Sequence, residues 1–129
     1  MRLILFMLIA FLSVPVLAGN IYTYKISNAC IVKTSIVPMP DILPPKMQYQ
    51  INIQLNEREG KRLREFTKKI IGKYMRMTNG FGESLKIPPH EVVSEVGGRF
   101  RLSPYKTKAL AEMVINVLLK KGGHCGPSS

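Results

Sequence analysis

Six cations fall within twelve consecutive residues of this chain: Arg58, Lys61, Arg62, Arg64, Lys68 and Lys69. On a helix they occupy the outward face, where Glu65 is the acid that offsets them. A surface of that sign attracts an anionic partner: an acidic protein, anionic lipid headgroups or nucleic acid. The whole chain leans the same way, with 19 Lys and Arg against 8 Asp and Glu and a formal net charge of +11. A charge run is ordinarily a solvated helix face, but the concentration of cations in one stretch favours a binding surface.

Catalytic chemistry has few residues to draw on. The histidines are His90 and His124, the single aspartate is Asp41, and the other acids are glutamates. A metal site needs several His, Cys or carboxylate ligands that converge. His124-Cys125 is the only ligand-like neighbour pair, and His90 follows Pro88-Pro89 with Glu91 beside it. A nucleophile, base and orienter would need a Ser or Thr with one of these histidines and Asp41 or a Glu. Nothing in the spacing indicates it. Paired carboxylates of the glycosidase type could come only from Glu83, Glu91 and Glu95. Asn79-Gly80, followed by Phe81-Gly82-Glu83, has no G-x-G-x-x-G or Walker pattern and reads as a hairpin turn. The expectation is a binding domain and not an enzyme, with no cofactor, no metal and no small-molecule substrate.

The first residues place that surface in a compartment. Arg2 supplies a positive start, Leu3 to Leu12 is an uncharged apolar run, and Val16-Leu17-Ala18 presents small residues to a peptidase. Residues 1–18 read as a secretory signal peptide cut before Gly19. The apolar run is shorter than the roughly 20 residues of a membrane-spanning helix. The expected location is therefore the periplasm or the cell exterior. There the two cysteines, Cys30 and Cys125, are expected to form a disulfide.

Residues 19–45 read as an extended N-terminal arm and connector. Ile21 to Ile26 and Ile31 to Val37 are β-prone, and Pro38, Pro40, Pro44 and Pro45 keep the following stretch extended. The arm packs as a strand on the domain edge or folds against a partner.

Residues 46–129 form the domain proper. Met47, Tyr49, Ile51, Ile53 and Leu55 alternate with polar residues, the period of a half-buried strand. Asn56 caps the helix that carries the cations, and Glu59 is placed to reach back to the cap amide. Leu63, Phe66, Ile70 and Ile71 form its inner stripe, and Gly60 implies close approach of the helix to the sheet. Gly72 ends it. Lys73 to Thr78, Ser84 to Ile87 and Arg99 to Leu102 are predicted strands. Ser103 and Pro104 start a second helix that runs to Lys121, with Ala109, Leu110, Met113, Val114, Val117 and Leu118 inward. The sum is an α+β fold: a small, mainly antiparallel sheet of about four strands with two helices on one face, in the order β-α-β-β-(β)-α.

That order, with Glu59-Gly60, Phe66-Thr67, Gly72-Lys73, Asn79-Gly80, Pro88 or Pro89, Gly97-Gly98, Ala109, Leu118-Leu119 and Gly122, resembles the head subdomain of the first periplasmic domain of SecD/SecDF protein-export membrane proteins. The likeness covers Gln50 to about Gly122 without a transmembrane block, so the proton-conducting machinery does not come with it. It implies a periplasmic protein-contact domain with two helices on one face of a sheet. The expected function is a non-enzymatic interaction domain that meets a translocating or envelope protein, or a toxin it neutralises, through the basic helix face. The alternative is an anion-binding envelope protein, with anionic lipid ahead of nucleic acid.

Overall fold

The structure, a computed structural model, describes residues 21–40 and 46–128. The expected signal peptide, and Asp41, Pro44 and Pro45 of the connector, lie outside the described residues. The described residues form an α+β fold in the order β1 (Ile21–Ile26), β2 (Ile31–Pro38), β3 (Tyr49–Leu55), α1 (Glu57–Lys69), β4 (Tyr74–Asn79), β5 (His90–Glu91), β6 (Arg99–Tyr105), α2 (Lys108–Leu118) and β7 (Gly126–Pro127).

The strands divide between two sheets, β5-β4-β1-β7 and β2-β3-β6, where the periodicity predicts one. In the first, β1 and β4 run parallel; the remaining pairings are antiparallel. The helices are correspondingly shared out. On the first sheet α1 packs Phe66 against Tyr24 and Tyr22, with ring centroids 5.3 and 6.3 Å away. The second sheet carries α2, which touches all three of its strands and also β4. Alternation reports which side of a strand is apolar. It does not report which strand lies beside it, so a single sheet and two sheets share one sequence pattern.

The segment expected as an arm supplies β1 and β2. β1 sits between β4 and β7, with Tyr24 and Ile26 fully buried. Cys30 and Cys125 are joined as expected, with Cα atoms 6.7 Å apart across 95 residues of sequence. The bridge ties the turn after β1 to the residues before β7. One hydrophobic cluster spans both sheets and both helices, with Leu63, Ile51, Tyr105, Val114 and Leu118 at its centre.

Several local expectations change. Ile71 is half-exposed because α1 stops at Lys69 and Gly72 takes the left-handed backbone (φ +90°) that turns the chain away. Ser84 to Ile87 makes only one bridge, from Ser84 to Thr78; the strand that pairs with β4 is His90–Glu91. Ser103 and Pro104, joined by a cis peptide, stay in β6. The strand continues to Tyr105, which is fully buried and donates its hydroxyl to Leu85 O at 2.8 Å. Burial of so large a ring outweighs an early helix start. The true cap is Thr107, whose hydroxyl accepts from Leu110 N at 3.0 Å. From there α2 turns Ala111, Val114 and Leu118 inward and leaves Ala109 and Met113 outside. This helix is apolar around most of its circumference, so its stripe does not define one buried face.

Candidate functional site

The candidate site is built on α1. Asn56 starts the helix, its side-chain oxygen accepting from Glu59 N at 2.8 Å. The reciprocal half of the expected capping box does not form: the Asn56 amide donates to Cys30 O at 2.9 Å. Glu59 instead turns under the helix, where it is 5% exposed. It accepts a short hydrogen bond from the Tyr24 hydroxyl and faces Arg62 at 3.5 Å. Burial, and then this bond to Glu59, pushes the Tyr24 phenol well above its ordinary 10.0. Burial alone raises Tyr105 in the same direction.

Two further residues of the inner face hold the loop that leads into β6. A Cβ added to Gly60 would lie 2.8 Å from the Cα of Gly98, so the glycine permits direct contact between helix and loop backbone. Seven residues on, the buried Thr67 hydroxyl donates to Leu63 O at 2.9 Å and accepts from Val96 N at 2.8 Å. Gly60 and Thr67 thus clasp residues 96–98, and the close neighbour expected at Gly60 is this loop and not a sheet.

All six sequence-predicted cations are exposed on the opposite side of α1. They do not form one uniform face. Arg62 leans over β7, its guanidinium filling the space where a Cβ on Gly126 would stand. Arg64 lies against Gly97 and pairs with Glu95 at 3.5 Å. Lys68 pairs with Glu65 at 3.8 Å. Among the described residues no ion pair engages Arg58, Lys61 or Lys69. Arg62 and Arg64 therefore also serve the fold, whereas Arg58, Lys61 and Lys69 hold their charge in water.

The cationic surface runs beyond the helix, which the sequence pattern alone does not reveal. Lys61 and Arg64 line one wall of a groove of about 270 Å³ that reaches Gly98 and Arg99. At Gln54 and Arg99 it meets a second, shallow groove of about 360 Å³ on the outer face of the β2-β3-β6 sheet. Lys33 and Arg101 stand there, with Asn52 and Gln54 between the strands of cations. The signal was present in Arg99-Phe100-Arg101 and Gln50 to Gln54, whose polar residues alternate with core residues. Only the pairing of β6 with β3 puts them side by side.

The residues considered for catalysis are dispersed. Glu83 holds Lys120 at 2.8 Å and accepts from the Asn79 side chain at 2.7 Å, and these two bonds keep its carboxyl below the ordinary range. Glu95 is taken by Arg64. His90 is exposed, with Nδ1 2.8 Å from Pro88 O. The His124 backbone amide donates to Gly80 O at 3.1 Å. Asn79 is fully buried and spends its side chain on the loop amides of Phe81 and Glu83 and on Val117 O, so the Asn79-Gly80 turn is a structural joint between β4 and α2. An apolar cleft of about 220 Å³ opens between Met75, Met77, Val92 and Phe100, below the roughly 300–1,000 Å³ of pockets that enclose a small ligand. No helix among the described residues is long and apolar enough to cross a membrane. Comparison of the chain with family models, curated proteins and solved structures finds no match, so its reading rests on this geometry.

Proposed function

We propose that this chain is an exported, non-catalytic interaction domain that binds an acidic protein partner of the cell envelope through the cationic side of α1. The observation that carries the reading is the separation of roles around the helix. Its inner residues clasp the fold, while Arg58, Lys61 and Lys69 are left charged and without an ion pair among the described residues. Keeping like charges close together on one helix is unfavourable by itself, and a partner of opposite charge supplies the compensation. The leader pattern of residues 1–18 and the Cys30–Cys125 disulfide support an oxidising compartment outside the cytosol. A protein-contact role is what the likeness to the SecD head implies; the two-sheet arrangement departs from the single sheet of that likeness.

The test reverses Arg58, Lys61, Lys68 and Lys69 to Glu and leaves Arg62 and Arg64 in place. The variant should keep its thermal stability to within about 0.5 kcal/mol, as surface changes do. Immobilised wild-type protein should retain one acidic protein from an envelope extract at low salt and release it at high salt. The variant should retain none. Equal retention by both proteins overturns the reading, and salt-sensitive binding to anionic vesicles without a protein partner replaces it with a lipid-surface role.

A further inference from the structure

The outer face of the β2-β3-β6 sheet is ordered in two cross-strand rows. Lys33 pairs with Gln54, and Gln54 with Arg99; Ser35 pairs with Asn52, and Asn52 with Arg101. Each row therefore runs hydroxyl or ammonium, carboxamide, guanidinium. Neighbouring strands lie about 4.8 Å apart, and side chains on one face recur at about 6.8 Å along a strand. Arg99 and Arg101 thus present two guanidinium groups at the pitch of an extended chain. Each can take a carboxylate through two parallel hydrogen bonds. The Asn52 side chain accepts from Gln50 at 3.0 Å and keeps its own donors free of any protein acceptor among the described residues. A carboxamide both donates and accepts, as the peptide groups of a bound chain require.

The geometry points to this sheet face as the seat of an extended acidic segment of the partner, with carboxylates at alternate positions set over Arg99 and Arg101. This deepens the proposal of an acidic protein partner and rests on it. Lys61 and Arg64 continue the trough at the Arg99 end, so a segment leaving the sheet runs along α1. Glu57 is the one carboxylate that lines the trough among the described residues, and it stands at its α1 end. Single-stranded nucleic acid fits the face less well, because such binding relies on aromatic rings that stack on bases. The only aromatic residue lining the trough among the described residues is Phe100, which is packed against the core.

The experiment measures fluorescence anisotropy of the purified, oxidised protein at low salt with three labelled probes. They are a ten-residue peptide alternating Glu and Thr, its isomer with the five Glu and five Thr in blocks, and a ten-nucleotide oligothymidylate. The alternating peptide should bind several-fold tighter than the block isomer and the oligonucleotide. Arg99→Glu with Arg101→Glu should weaken it about tenfold, as two exposed ion pairs turned to repulsions would. Lys106→Glu with Lys108→Glu, exposed cations that line neither α1 nor the trough, should weaken it less than about twofold. If the sheet variant fails to fold, Arg101→Gln and amide chemical-shift mapping on the wild type give the location. Equal binding of the two peptides, tighter binding of the oligonucleotide, or shifts confined to α1 each overturn the sheet-face site. An acidic protein still captured through α1 in the preceding test would then leave the broader reading standing.

Discussion

Glu59 and Glu65 stand six residues apart on α1 and meet opposite surroundings. Glu59 is buried against the Tyr24 hydroxyl, while the Glu65 side chain is 65% exposed and lies 3.8 Å from Lys68. The same division runs along the whole helix. Inward, Gly60 touches the Gly98 backbone and Thr67 holds Val96. Outward, Arg58, Lys61 and Lys69 touch solvent. A polar residue on the inner side works through geometry, because a buried group must keep its partner. A charged residue on the outer side works through its field, which salt screens. Changes on the inner side should therefore move stability, and changes on the outer side should move binding.

The largest test of that division removes the bridge that holds β7 beside α1. Reduction, or Cys30→Ser with Cys125→Ser, should cost about 4–5 kcal/mol in the chain-entropy model for so long a loop. Thermal melts with and without reductant check it. A shift of less than a degree or two would mean that β7 is held by other contacts, and that the inner side of α1 does not depend on the tail.

Next in size is Gly60→Ala. Alanine favours helix by about 1 kcal/mol, but its Cβ would press on the Gly98 backbone, and overpacking of that kind costs about 1–3 kcal/mol. A net loss of up to about 2 kcal/mol in urea unfolding is expected. A gain in stability would show that α1 and the 96–98 loop do not touch. The peptide affinity of the folded variant should stay within about twofold, because its charges are intact.

The smallest effect under ordinary conditions comes from the buried phenols. Tyr24 and Tyr105 have folded-state values raised above 10.0. The folded protein therefore holds these protons more tightly than the unfolded chain does. Their contribution is complete below pH about 10 and is lost as pH rises from there toward the raised values. Urea midpoints measured from pH 8 to 11 should fall at the alkaline end, and Tyr105→Phe should flatten the fall. An unchanged slope in that variant would mean that its hydroxyl is not sealed from water.

Much of α1 is legible in the sequence. The Asn56 cap, the inward Leu63 and Ile70, the stop at Gly72 and the exposed cations all follow from spacing within one helix. What was hidden lies between elements. Glu59 looks like half of a capping box until Tyr24, 35 residues away, takes its carboxylate. Ser103-Pro104 looks like a helix start until Tyr105 is seen buried at the end of β6. Arg62 and Arg64 look like their neighbours Arg58 and Lys61 until Gly126 and Gly97 are found beneath them.

By itself the sequence determined the net charge, the α+β class, the cysteine pair able to cross-link and the amphipathic helix that displays the cations. These depend on composition and on periods of two and near four, which a chain carries whatever it packs against. Tertiary structure alone decided that the strands form two sheets, that β1 is an interior strand, and that Lys33, Arg99 and Arg101 share one open face with Lys61 and Arg64 at its end. The physical reason is that pairing and register are long-range choices. Residues 35, 52 and 101 become neighbours only when three separate strands are hydrogen-bonded side by side.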